Sequence, residues 1–127
     1  YGISVDGSSP LTVTEIRHAG GAIARVDKHA SAFGNRNASL VLNLVGATPT
    51  PEARARMESH TSAMLEELRP AMTGGVYLNF LDGKAAAERT KDAYLPESYQ
   101  RLMAVKASYD PENRFRFGFN IPPASAN

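Results

Sequence analysis

GVYLNFLD, residues 75–82, and YQRLMAVKASYDPENRFRFGFNIPP, residues 99–123, decide the fold. The two-residue period of a strand puts Val76, Leu78 and Phe80 on one face of the first stretch, with Tyr77, Asn79 and Leu81 on the other. The apolar set points to a core, so Tyr77 and Asn79 face outward together. The second stretch opens as a helix running from near Pro96 to Tyr109, with Tyr99, Leu102, Val105 and Tyr109 toward the core. Asp110 followed by Pro111 ends it, because the residue before a proline is pushed out of the helical region. Asp110, Pro111, Glu112 and Asn113 together are good turn chemistry. Residues 110–127 then form a C-terminal tail.

Upstream, the spacing predicts a long helix. Thr50 is a good N-cap, Pro51 suits the first helical position, and Glu52 meets the positive end of the dipole. Met57, Thr61, Met64, Leu68 and Met72 form one stripe, while Arg54, Glu58, Ser62 and Glu66 face water. Gly74 and Gly75 stop this helix and lead into the strand at 75–81. Residues 39–46 (SLVLNLVG) read as a strand apolar enough on both faces to be central. Another strand runs to His18 or just beyond, with Gly20 and Gly21 as a bend or bulge. Residues 1–10 are a turn-rich entry loop, and 84–94 a short helix or loop. The expected architecture is one α+β domain over residues 1–127, an antiparallel sheet with helices on one face, ferredoxin-like in build.

Composition narrows the function classes. Fourteen basic and 13 acidic residues leave a formal charge of +1, which gives no electrostatic case for nucleic acid or an anionic membrane. Apolar residues at 43% and charged ones at 21% are ordinary for a globular domain. The chain holds no cysteine, which removes disulfides, thiolate catalysis and cysteine–zinc sites. The longest apolar run, LVLNLVGA, falls far short of the roughly 20 residues of a membrane helix. No signal peptide is visible, so the expected location is cytoplasmic. The chain starts at Tyr1 without an initiator Met, which points to a piece of a longer protein.

Few residues carry chemistry. A phenol and an amide side by side, Tyr77 and Asn79, can line a ligand pocket. The structural alternative is an exposed face with ordinary polar residues. Asn43, in an otherwise apolar strand, needs a partner on a neighbouring strand or on a ligand. Glu15 and Arg17 share a strand face, where a surface ion pair is the default. His18, His29 and His60 show neither i,i+4 pairing nor an HExxH pattern, so no metal site is indicated. Ser8 and Ser9 lack a GxSxG context. The paired glycines are turn glycines rather than a GxGxxG or phosphate-binding loop.

Together the motifs resemble the C-terminal region of the berberine-bridge-enzyme-like FAD-linked oxidases, in the vanillyl-alcohol-oxidase superfamily. The family pattern is approximately Y-x-N-Y/F-x-D, then R-L-x-x-x-K-x-x-Y-D-P-x-N-x-F, then N/S-I-P-P. It is matched here by Tyr77, Asn79, Phe80 and Asp82, by Arg101, Leu102, Lys106, Tyr109, Asp110, Pro111, Asn113 and Phe115, and by Asn120 through Pro123. EIRHAGGAIARV at 15–26 and ASAFGNRNA at 30–38 are similar to two further blocks of the family.

The resemblance implies an FAD-dependent oxidoreductase that oxidises an alcohol, sugar or amine carbon by hydride transfer to flavin. This piece would cover the isoalloxazine and shape the substrate pocket. FAD would be held mainly by an N-terminal domain absent from this chain, which is thus one implied partner, a small-molecule substrate being the other. Tyr77 is implied as a proton acceptor or pocket wall. Asn79, Tyr77 and Asn120 are implied as cofactor-binding, and Asn43 and Arg17 as substrate-pocket residues. A phenol ordinarily ionises near pH ~10, so base chemistry calls for neighbours that favour phenolate. Phe80 stands where relatives often have tyrosine, Asn35 where they have histidine, and Gly118 where bacterial relatives have asparagine. The isolated chain is expected to be inactive and to self-associate through its exposed sheet face. The alternative from another class is a stand-alone ferredoxin-like module that binds a small ligand or dimerises without catalysis.

Overall fold

Residues 7–125 are described by a computed structural model. Two antiparallel strands begin the architecture, β1 (Val13–His18) and β2 (Leu40–Val45), paired from Val13 opposite Val45 to His18 opposite Leu40. Backbone bonds from Thr12 N to Val45 O and from Ala19 N to Ser39 O, both 2.8 Å, extend the ladder at each end. The helices are α1 (Ala22–Arg25), α2 (Pro51–Leu68), α3 (Gly83–Arg89) and α4 (Pro96–Tyr109). Single 3-10 turns lie at Arg69–Ala71, Leu78–Phe80 and Thr90–Ala93. The class is α+β, as the sequence predicts. By contact the chain divides into two compact units, one built from residues up to Gly20 with Ala38–Thr73, the other from Gly21–Asn37 with everything after Thr73.

In the first unit, α2 starts where its cap dictates. Thr50 Oγ1 accepts a hydrogen bond from Ala53 N at 3.2 Å, and Pro51 occupies the first turn without sacrificing a bonded donor. The half-buried stripe is Ala53, Met57, Thr61, Met64 and Leu65, while Arg54, Glu58, Ser62 and Glu66 are exposed as expected. Leu68 and Met72 leave the stripe. Pro70 tightens the chain into the 3-10 turn Arg69–Ala71, and Met72 follows in extended conformation. Gly46 is required by close approach: a Cβ there would lie 2.6 Å from Pro10 O and 2.8 Å from Met57 Sδ. β2 is not a central strand among the described residues, since β1 is its one partner. Its apolar content serves half-burial rather than a second ladder.

The second unit corrects the largest expectation. Residues 75–81 are not a strand. Val76 N donates to Asp92 O at 3.2 Å, and the side-chain amide of Asn35 donates to both Val76 O (3.0 Å) and Asp92 O (3.1 Å). Phe80 N and Leu81 N turn back to Tyr77 O and Leu78 O at 3.0 and 3.1 Å. With those groups satisfied locally, strong β-propensity is overridden by tertiary context. A Cβ on Gly75 would lie 2.2 Å from Asn35 Oδ1, so the amide clamp needs glycine there. Further along, α3 ends on Thr90, whose buried hydroxyl donates to Ala86 O at 2.6 Å.

Helix α4 spans the predicted residues, but its outer end differs. Tyr99 and Leu102 turn inward with Met103, Lys106 and Ala107, whereas Val105 is 48% and Tyr109 87% exposed. The inward stripe drifts around the helix within its last turn, which leaves Tyr109 outside it. The helix stops at Asp110, and Asn113 N closes the predicted turn onto Asp110 O at 3.0 Å. Asn113 sits at φ 51°, a left-handed conformation that asparagine tolerates better than most residues. The tail then returns along α4, with Ala124 N donating to Met103 O at 3.1 Å.

Candidate functional site

Tyr77 is extended, and the 3-10 turn that follows it reverses the chain at once. The reversal carries the Asn79 side chain back, so that Nδ2 lies 3.3 Å from Tyr77 OH and donates to it. The pairing expected from a strand face is thus achieved by a turn. Around the phenol, Phe33 packs edge-on at 5.7 Å between ring centroids, and Phe80 packs tilted at 5.1 Å. The Arg36 guanidinium lies 5.0 Å from the centroid of Phe33 on a cation–π contact. Its NH1 and NH2 donate to Ile23 O and Ser31 Oγ at 3.1 and 3.0 Å, which anchors the Phe33 segment.

A cleft of about 300 Å³ opens beside this cluster. Phe33, Val76, Leu78 and Ala93 supply apolar wall, and Tyr77, Asn79 and Tyr94 supply its polar side chains. Burial pushes the Tyr94 phenol up, with the neighbouring Tyr99 ring 6.0 Å away adding to the effect, so Tyr94 stays a neutral hydroxyl. Phe33 and Tyr94 were not singled out from sequence. Phe33 stands in the recognised 30–38 block, but its contact with Tyr77 spans 44 positions of chain and leaves no periodic trace. Asn120 belongs to the same unit; its Oδ1 is buried without a hydrogen-bond partner, as is Asn113 Oδ1.

Asn43 and Arg17 lie in the other unit, on the ribbon. Glu15 stands opposite Asn43 in register, accepts from Asn43 Nδ2 at 3.4 Å, and pairs with Arg17 Nε at 2.8 Å. The Arg17 hydrogen bond foremost, with help from the Asn43 amide, holds the Glu15 carboxyl below the usual range against the opposing pull of burial. The ion pair read from sequence is therefore present, and Asn43 finds its partner on the neighbouring strand. His60 Nε2 lies 3.4 Å from Ser9 Oγ at an exposed position, and that hydroxyl already accepts from Leu11 N at 3.2 Å, so the contact is packing rather than a nucleophile and its base. Among the described residues no cluster of three or more His, Asp or Glu could hold a metal ion. No helix of these residues is long and apolar enough to cross a membrane.

The Y-D-P-x-N-x-F stretch turns out to be a device for holding the tail. Asp110 accepts from Lys106 Nζ, from Arg114 N at 2.7 Å and from Phe115 N at 3.0 Å. Lys106 Nζ also donates to Phe115 O at 2.7 Å. The Lys106 ammonium first, and the two backbone amides after it, bring Asp110 from 3.8 to about 2 despite burial.

Residues 76–122, which hold the Tyr77–Asn79 pair, every cleft-lining residue but Phe33, and the Asp110 turn, match the family model for berberine and berberine-like proteins. The chain is 35% identical over 116 residues to (R)-6-hydroxynicotine oxidase of Paenarthrobacter nicotinovorans, covering 83% of this chain and 25% of that protein. It is 30% identical over 122 residues to berberine bridge enzyme-like 17 of Arabidopsis thaliana, covering 84% and 23%. Over 53 residues it is 40% identical to the chitooligosaccharide oxidase of Gibberella zeae, 42% of this chain and 11% of that protein. The chain therefore spans about a quarter or less of the length of these relatives. The matched segment and these relatives are those of berberine-bridge-enzyme-like FAD-linked oxidases, the family that the sequence motifs resemble.

Proposed function

We propose that this chain is the C-terminal, substrate-side part of an FAD-dependent oxidoreductase. The substrate would lose a hydride from an alcohol, sugar or amine carbon to FAD, and the proton of the adjacent O–H or N–H to a base. The flavin, when bound, would supply the hydride-accepting chemistry, with dioxygen or another acceptor as final oxidant, and the product would carry a C=O or C=N bond. The observation that carries this reading is the hydrogen-bonded Tyr77–Asn79 pair at an uncharged cleft, inside the family-matched segment.

Each residue has a defined task in it. Tyr77 is the group placed to take the substrate proton or to form the pocket wall, and the Asn79 amide that donates to its oxygen fixes where that oxygen sits. Phe33 and Phe80 pack against the Tyr77 ring and hold its orientation. The buried, unpartnered Asn120 Oδ1 suits an N–H donor, which the isoalloxazine ring possesses. The described residues offer no glycine-rich phosphate cradle, in keeping with FAD held mainly by another part of the protein. Asn43 and Arg17 are both engaged by Glu15 within the ribbon.

The test is a visible absorption spectrum of the full-length protein purified without added cofactor, followed by turnover of a substrate panel. Flavin bands near ~370 and ~450 nm together with substrate-dependent bleaching are expected. A well-folded, colourless protein that also refuses added FAD would overturn the proposal and leave the ligand-binding or dimerisation module in front.

A further inference from the structure

Resting on the oxidoreductase reading, we infer that Asn35 is a positioning residue for Tyr77. Its amide holds the segment that carries Tyr77 against the one that carries Tyr94, and so fixes where both phenols stand. Asn35 itself stays outside the cleft lining, which comes from Val76 to Asn79, from Ala93 and Tyr94, and from Phe33. The two hydrogens of its Nδ2 are divided between two carbonyls, Val76 O at 3.0 Å and Asp92 O at 3.1 Å. Each carbonyl belongs to the planar peptide unit that leads into a lining segment, Val76–Tyr77 in one case and Asp92–Ala93 in the other. Holding the carbonyl holds the plane, and with it the Cα of Tyr77 and that of Ala93, the neighbour of Tyr94.

The surroundings are built for that amide. Val76 N also donates to Asp92 O, at 3.2 Å, so the two segments meet directly beside Asn35. Arg89 ties them again: Nε donates to the Asp92 carboxylate at 3.0 Å, and Nη2 donates to Gly74 O at 2.8 Å. Gly75 leaves the space that the amide fills. A Cβ on Gly34 would lie 2.7 Å from Leu95 N, so the backbone just before Asn35 seats against the residue after Tyr94. A carboxylate has no hydrogen to give here, and a hydroxyl has one. The next residue, Arg36, stacks on Phe33, whose ring packs edge-on to Tyr77. Asn35 and Arg36 thus reach Tyr77 from two sides, one through its backbone and one through its ring.

Fluorotyrosine built into the full-length protein provides the test, with Tyr77→Phe and Tyr94→Phe assigning the two fluorine resonances. Asn35→Ala is expected to move or broaden both, and to speed amide exchange over residues 76–81 about tenfold or more while α2 keeps its protection. Thr50→Ala, which weakens α2 instead, should leave both resonances in place. Asn35→Ser keeps one donor and should fall between wild type and alanine, which also covers an alanine variant that fails to fold. The rate of flavin reduction by a substrate from the panel, counted per bound flavin, should fall about tenfold in Asn35→Ala but less than about twofold further when Tyr77→Phe is already present. Resonances and exchange unmoved in both Asn35 variants would overturn the inference, as would a full tenfold loss on the Tyr77→Phe background. A protein that holds no flavin, or that no panel substrate reduces, but whose fluorine resonances still answer to Asn35 would uphold the clamp and overturn the oxidoreductase function instead.

Discussion

Lys106, one turn before the end of α4, donates its ammonium to the carboxylate of Asp110, the residue on which that helix stops. The same carboxylate accepts the backbone N–H groups of Arg114 and Phe115, and Lys106 reaches on to Phe115 O. One ion pair thus ties the helix end to the start of the tail. Because Asp110 ionises at about 2 when folded and near 3.8 otherwise, its contribution is whole above pH 3.8. It is lost as pH falls from there through about 2. Acid unfolding followed by circular dichroism is expected to begin in that window. Asp110→Asn should lower the melting temperature at neutral pH by roughly 5 °C or more and flatten the acid limb. An unchanged acid limb in the variant would remove Asp110 from this role.

Asn35 is a second clamp, and it discriminates between substitutions. Its amide N–H groups serve two carbonyls at once, Val76 O and Asp92 O. Asn35→Ala leaves both acceptors short of a donor, at a cost of about 1–3 kcal/mol. Asn35→Asp places a carboxylate against the same carbonyls and is expected to cost more than alanine does. Urea titrations of both variants check the order; aspartate milder than alanine would contradict the clamp.

The long helix α2 was legible because its signals are local. Thr50, Pro51 and Glu52 name its start, and the half-buried positions recur within the helix itself. β1 and β2 were legible for the same reason, within a residue or so of their ends. Residues 75–81 misled because their apolar alternation is strand-like, while what fixes their conformation is Asn35, some forty positions earlier, together with Asp92. The Tyr77–Asn79 pairing survives that error, since two-residue spacing also brings side chains together across a tight turn. The aromatic neighbour Phe33 had no such trace, being brought in by the fold alone.

The cap of α2 yields a prediction independent of function. Thr50 Oγ1 satisfies one of the helix's free N–H groups, and the Glu52 carboxyl is held low by its own backbone amide and the Thr50 hydroxyl. Thr50→Ala should cost about 0.5–2 kcal/mol, and Thr50→Gly only a few tenths more than wild type. Denaturant midpoints for the pair would settle it, and no loss in Thr50→Ala would mean that the hydroxyl contributes nothing.

Gly46 should resist substitution more than most surface glycines. A methyl group there meets Pro10 O and Met57 Sδ inside contact distance. The thioether can swing away; the carbonyl belongs to backbone and cannot. Gly46→Ala is therefore expected to cost about 1–3 kcal/mol by overpacking. Combining it with Met57→Ala should recover little of that loss, because the closer clash is with Pro10 O. Full rescue by Met57→Ala would assign the strain to the side chain instead.

Tyr77 carries the decisive functional prediction. As the proposed proton acceptor it would act in the chemical step, so Tyr77→Phe in the full-length protein should lower kcat by about 10²-fold or more. KM should change little, because the ring contacts with Phe33 and Phe80 remain. Asn79 positions the Tyr77 oxygen through its hydrogen bond, so Asn79→Ala should lower kcat by a smaller factor, and it should add little on top of Tyr77→Phe. A pure wall residue predicts the reverse: a change confined to KM, insensitive to loss of the hydroxyl and sensitive to loss of the ring. The comparison of Tyr77→Phe with Tyr77→Leu separates the two, since only the second removes the aromatic face. If both substitutions leave kcat intact, the base lies elsewhere in the protein and the Tyr77–Asn79 pair shapes the pocket alone.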